Sequence, residues 1–164
     1  MSAENTSSTL AVLPVQATDV ASQSRSNYPE PFASRMGHGD WRSLGDVFGL
    51  TQFGVALETL HPGAQSALRH WHTLSDEFVY VLSGELTLHT STGEFVMRPG
   101  MCMGFKAGDK NGHHLVNRSA AVATYIVLGS RVPGDAAFYP DDDFAWLHTE
   151  AGKRQVHKNG TAYD

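Results

Sequence analysis

Between Gln52 and Ser130 the chain runs as short stretches of β-branched, aromatic and aliphatic residues separated by turn signals. The turns are Pro62-Gly63, Ser83-Gly84, Ser91-Thr92-Gly93, Pro99-Gly100, Gly108-Asp109 and Asn111-Gly112. This spacing predicts strands near 52–61, 66–73, 77–83, 85–90, 94–98, 101–105, 112–118 and 122–129. No 12-residue stretch of the region keeps the 3.6-residue apolar period of a helix. Eight short strands divided by turns predict an all-β sandwich or jelly roll.

The flanks read differently. Residues 1–26 are rich in Ser, Thr, Ala and Gln, with one apolar patch from Leu10 to Val15, and are expected to form a flexible arm that a partner subunit orders. In residues 27–50, Tyr28-Pro29-Glu30-Pro31-Phe32 disfavours helix and predicts an extended path along the surface. Residues 131–164 contain Asp141-Asp142-Asp143, which lacks the ligand spacing of a calcium loop and reads as a solvated turn or helix N-cap. The expected organisation is an arm over 1–26 and one domain over 27–164, with its barrel at about 52–130.

Composition narrows the function classes. A chain of 164 residues is long enough to bury one core. Seventeen acidic residues against 12 basic ones give a net charge of −5, and the basic residues are scattered singly. No basic patch means no expected nucleic-acid partner. No run approaches the ~18 apolar residues of a membrane span, and the first ten residues lack a basic n-region, so a cytoplasmic location is expected. The single cysteine, Cys102, excludes an intramolecular disulfide and reads as a buried small hydrophobe between Met101 and Met103.

Nine histidines are the compositional anomaly. In His70-Trp71-His72-Thr73-Leu74-Ser75-Asp76-Glu77, the histidines stand two apart, so on a strand both side chains leave the same face. Thr73 to Asp76 read as a turn that brings Glu77 back beside them. A further ligand is expected from His113, with His114 its competitor by opposite strand parity. Neutral imidazoles with one carboxylate suit a borderline divalent ion, and four protein ligands on an octahedral ion leave two positions open. Glu77 is also the candidate catalytic residue, acting as a base where no metal is bound.

These residues carry a resemblance to the cupin superfamily. Gly63, His70, His72, Glu77 and Gly84 match its first motif in order, and Gly100, Gly108, His113 and Asn117 match its second. Lys106 stands where proline is usual, and four residues rather than two separate Gly108 from His113. The resemblance covers about residues 52–130, while the Tyr28–Phe32 and Tyr139–Asp141 segments look like those of small single-domain bacterial cupins. It implies a double-stranded β-helix (a jelly-roll barrel) with extended N- and C-terminal arms. It also implies His70, His72, Glu77 and His113 on one divalent ion (Zn, Mn, Fe or Ni), and commonly a homodimer.

The expected function is a metal-dependent reaction on a small polar molecule, foremost isomerisation or epimerisation of a sugar or sugar phosphate. An iron-dependent dioxygenase and a non-enzymatic sensing module are the alternatives. Neighbouring residues have plainer readings. Trp71, Phe78 and Tyr80 are expected to pack between sheets or at an interface, Asp76 to hold its turn, and Asn117 to orient a strand end. Arg69 and Lys106 are lone cations that either solvent or an anionic substrate would satisfy. His61, His89, His148 and His157 lack partners at ligand spacing.

Overall fold

Alternation of side chains along β4 (Glu77–Ser83) sets the inside and outside of the molecule. Val79 and Val81 are 5% and 0% exposed, whereas Phe78 and Tyr80 between them are each 39% exposed. Glu77 shares the inner parity of the two valines. The computed structural model describes residues 13–24, 26–149 and 152–163.

Among the described residues twelve strands form in chain order. They are β1 (Gly39–Ser43), β2 (Phe53–Leu60), β3 (Trp71–His72), β4, β5 (Leu86–Thr90) and β6 (Gly93–Met97). They continue with β7 (Cys102–Phe105), β8 (His113–Val116), β9 (Ala123–Ser130), β10 (Ala137–Phe138), β11 (Ala145–Thr149) and β12 (Gly152–Val156). One sheet has the order β1-β2-β9-β4-β7, and the others are β6-β5-β8 and β12-β11-β10-β3. Single bridges, Gln65–Val116 and His70–His113, join the two shorter sheets edge to edge. Two curved layers therefore face each other as a jelly roll.

The core lies between these layers. Leu60, Val79, Val81, Ala123 and Tyr125 from the first sheet meet Leu86, Leu88, Met97 and Leu115 from β5, β6 and β8. A second cluster joins Phe32, Met36 and Leu68 to Ala137, Tyr139 and Phe144. In the first sheet, Trp41, Glu58, Tyr125 and Val81 stand side by side across β1, β2, β9 and β4, so a carboxylate occupies an inward row. The Ser83-Gly84 turn closes tightly: Gly84 has φ +75°, and a Cβ there would sit 2.6 Å from the Val122 carbonyl oxygen. Only glycine fits.

Several expectations change. The strand expected over 66–73 is two residues long, with Gln65 and His70 making isolated bridges instead. The flanks are not merely extended coverings: β1 adds to the sheet edge, and the C-terminal segment supplies β10 to β12. Gly39–Ser43 has no apolar alternation to announce a strand; it forms because the free edge of β2 pairs with it from Gly39–Leu60 to Ser43–Ala56. Of the N-terminal arm, Ala17–Asp19 form a 3-10 turn and Gln23 pairs with Trp41 in both directions at 2.9 Å. Residues 1–12 lie outside the described residues. Cys102 is exposed, not buried, because it faces Tyr80 on the outer surface of the sheet.

Candidate metal centre and adjoining cavity

His70 is fixed just ahead of β3 by paired backbone bonds with His113, at 3.1 and 2.8 Å. The two-residue offset sends the His70 and His72 rings to the same side, with centroids 5.2 Å apart, and the cross-strand bridge puts the His113 ring 5.0 Å from His70. The turn at Thr73–Asp76 then delivers Glu77 at the start of β4. One oxygen of Glu77, Oε2, faces all three rings: 2.8 Å from His113 Nε2, 3.5 Å from His70 Nε2 and 3.7 Å from His72 Nε2. His70, Glu77 and His113 offer ligand atoms that all lie within 4.8 Å of one another. His72 stands just outside that set.

The far sides of two rings settle their tautomers. His70 Nδ1 is 2.8 Å from the Leu68 carbonyl oxygen, which can only accept, so Nδ1 carries the proton. His72 Nδ1 lies 2.6 Å from the Asp135 carboxylate and is a donor for the same reason. Both rings thus turn Nε2 toward the Glu77 carboxylate, so a proton or a cation must lie between nitrogen and oxygen. Histidines held from behind by carbonyl and carboxylate are the usual support of metal ligands. The donor set fits a borderline divalent ion.

Charge at the cluster follows the same logic. Burial would raise the Glu77 pKa, but hydrogen bonds from His113 and His70 and the charge of the histidines hold it well below the ordinary carboxylate range. Burial disfavours a charged His70, yet Glu77 outweighs it and the His70 pKa is raised. At His113 burial wins and the pKa is lowered. Its ring lies flat on Phe105, with centroids 3.5 Å apart and planes 2° apart, and among the described residues its buried Nδ1 has no hydrogen-bond partner. His113 is thus kept neutral, the form that ligates.

A cavity of about 940 Å³ opens beside the cluster, with His72, Asp135, Tyr139, Glu58, Trp41 and Trp146 on its wall. A narrow cleft of about 30 Å³ on another side is lined by His72, Glu77, His113 and Lys106. His72 borders both. Glu58 accepts a hydrogen bond from the Tyr125 hydroxyl. Burial pushes the Glu58 pKa up to about 7, with the Tyr125 bond opposing and the Glu77 charge adding.

Other candidates fall elsewhere. His114 points away from Glu77, its Nδ1 2.9 Å from the Ala67 carbonyl and its Nε2 3.2 Å from His89. Arg69 is held by Asp141 at 2.6 and 2.7 Å and donates to Ser91 at 2.6 Å, so it does not face the cavity as a free cation. Asn117 is fully buried and donates to the Leu60 and Ala121 carbonyls, each at 2.8 Å. Asp76 accepts from the Ala107 amide at 2.7 Å. The three aspartates bind Arg69, Arg35 and His157 in turn, tying the C-terminal segment down without capping a helix.

Sequence reasoning missed Asp135, Phe105, Tyr139, Glu58 and Tyr125. Asp135 follows a glycine in a loop and resembles any turn aspartate. Glu58 is the exception: an acid amid the apolar run Phe53–Leu60 is a visible irregularity. Among the described residues no helix is long and apolar enough to cross a membrane.

A family profile described as a cupin domain matches residues 56–129. No curated protein matches the sequence. Among solved structures, a sugar phosphate isomerase of the cupin superfamily from Silicibacter pomeroyi is 40% identical, with TM-score 0.87, covering 93% of this chain and 97% of that one. A proposed sugar phosphate isomerase from Acidithiobacillus ferrooxidans is 27% identical, with TM-score 0.70, over 78% of this chain and 81% of that one. A proposed oxalate decarboxylase from Thermotoga maritima shares the fold at 18% identity and TM-score 0.60, over 73% of this chain and all (100%) of that one. Identity at the level of the first of these, along nearly the whole of both chains and on one shared fold, makes this protein a member of the cupin superfamily.

Proposed function

We propose that the protein is a metal-dependent isomerase of a sugar or sugar phosphate, with His70, His72, Glu77 and His113 as the metal ligands. The observation that carries this reading is the junction at His72, where an imidazole beside Glu77 opens onto a roomy cavity walled by carboxylates, phenols and two tryptophans. Hydroxyl-rich molecules bind by such means: acceptors for their hydroxyls, and aromatic faces for their C–H surfaces. The likeness to the Silicibacter pomeroyi sugar phosphate isomerase supports the same chemistry.

A divalent ion held by the four residues would act as a Lewis acid on a carbonyl oxygen. The protein's own groups do the rest. Leu68 and Asp135 hold the His70 and His72 rings with Nε2 forward. Phe105 covers His113 and shields it from water. Trp41 and Trp146 line the space where a sugar ring would lie.

Protein purified without added metal, analysed for its elements and then supplied with that metal, tests the reading. Aldose and ketose phosphates and their free sugars are followed by NMR. Interconversion of at least one pair is expected, with loss in His70→Ala and His72→Ala variants that keep their β-sheet circular dichroism. Metal-loaded protein that interconverts none of them overturns the proposal.

A further inference from the structure

Isomerisation through an enediolate needs a group that carries a proton between carbons, and the residues of the metal cluster are otherwise engaged. Glu77 turns Oε2 toward all three imidazoles as one of the proposed ligands. Asp135 is occupied by His72, the Thr73 hydroxyl and the Leu74 and Ser75 amides. His72 Nδ1 is tied to Asp135 and its Nε2 faces Glu77. Of the other acids on the cavity wall, Asp40 is paired with Arg42 and Glu30 is exposed and accepts from the Ser34 amide, which leaves Glu58 as the inward one.

We propose that Glu58, positioned by Tyr125, is the catalytic base and acid of the reaction, taking the proton from one substrate carbon and returning it to the next. This rests on the isomerase reading above. Three observations carry it. Glu58 points inward from the middle of β2, in one row with Trp41, Tyr125 and Val81. It lines the same cavity as His72. The Tyr125 hydroxyl is its hydrogen-bond partner at Oε2, and among the described residues Oε1 has none, so one oxygen is anchored and the other is open to the cavity.

A carboxyl buried in a core row costs stability unless function retains it. A protonation range near neutrality, with the Glu58 pKa at about 7, lets the same group accept and release a proton at neutral pH. The titratable groups around it are Tyr125 on the neighbouring β9, Glu77 one strand further away on β4, and Tyr28, with Glu30, Asp40, His72, Asp135, Tyr139 and Lys153 on the cavity wall.

The step balances without an oxidant or reductant. The Glu58 carboxylate takes the proton from the carbon beside the carbonyl. The C–H electron pair becomes the C=C bond of an enediolate, and the carbonyl pair moves onto oxygen. Glu58 then returns the proton to the former carbonyl carbon, while the hydroxyl proton passes from its oxygen to the other.

Metal-loaded protein in D2O with glucose 6-phosphate, fructose 6-phosphate, ribose 5-phosphate and the corresponding free sugars tests this by proton NMR at C1 and C2. Wild type is expected to exchange a carbon-bound proton, and Glu58→Gln to lower exchange and turnover by about 100-fold or more, with metal content and KM changed by less than about threefold. Tyr125→Phe is expected to keep most of the maximal rate and to move the acid limb of the pH profile upward, because the lost phenol bond favours the carboxylate. In the absence of sugar, the infrared band of a protonated carboxyl is expected to titrate near neutral pH in wild type and to be missing from Glu58→Gln. Wild-type exchange in a folded Glu58→Gln variant overturns the role of Glu58 and leaves the isomerase standing. Should that variant not fold, an unmoved acid limb in Tyr125→Phe overturns it instead. Interconversion by wild type without exchange overturns the role of Glu58 alone, and no interconversion of any sugar overturns both readings.

Discussion

Asp135 and His72, 63 residues apart in sequence, are joined by a 2.6 Å contact between the carboxylate and Nδ1. The carboxylate also accepts from the Leu74 amide at 2.8 Å and the Ser75 amide at 3.2 Å, so one aspartate shapes the turn and orients the ligand. Burial raises its pKa, but the Leu74 and His72 bonds more than offset that and keep it ionised.

Asp135→Asn separates these two tasks. Asparagine keeps an oxygen for the loop amides but presents an NH2 group to His72, which drives the ring toward the tautomer with the proton on Nε2. Metal affinity is expected to fall about 10- to 100-fold while the melting temperature stays nearly constant. Competition with a chelator measures the first, and calorimetry of the metal-free protein the second.

Loss of either histidine of the first pair is expected to be more severe. His70→Ala and His72→Ala should purify with substoichiometric metal, since each removes one of few nitrogen donors from a site that is otherwise preformed. Far-UV circular dichroism should be unchanged, because both side chains border polar space and neither belongs to the two apolar clusters. Stoichiometric metal in either variant would count against the ligand set.

Glu58 gives an unusual pH signature. Its folded pKa, about 7, lies above an unfolded value near 4.5. Between those limits the folded protein binds more protons than the unfolded chain, so this group's stabilisation is complete below the unfolded pKa and is lost as pH rises through the folded one. The loss by pH 8 is about 3 kcal/mol. Glu58→Gln, neutral throughout, should therefore be more stable than wild type at pH 8, with the difference shrinking toward pH 5. Denaturant melts at several pH values measure this. Glu77 acts in the opposite sense: its depressed pKa gives stability present above the unfolded value and lost as pH falls through the folded one.

Phe144, fully buried, links the C-terminal segment to Tyr28, Phe32, Tyr139 and Tyr163 through ring contacts of 4.8 to 5.5 Å. Phe144→Ala should cost about 3–5 kcal/mol and lower the melting temperature by about 10 °C. A smaller loss would mean that this segment is a dispensable tail.

Strand alternation made much of the barrel readable in advance. Hydrophobic runs and Pro-Gly, Ser-Gly and Asn-Gly turns are local signals, and they located β2 and β4 to β9 with small errors at their ends. The His70-Trp71-His72 spacing likewise forced two imidazoles onto one face before any fold was known. β1, β3 and β10 to β12 were less legible, since strands of two to five residues take their conformation from a neighbouring edge rather than from their own pattern.

The sequence alone determined the all-β class, the turns and which side chains had to travel together, because a two-residue repeat is a property of the backbone. Only the tertiary structure decided that Asp135 stands behind His72, that His113 rather than His114 meets Glu77, and that Glu58 looks inward beside Tyr125. Those pairings join residues far apart in the chain. They depend on strand register and sheet closure, which the packing of the whole core sets and no local pattern encodes.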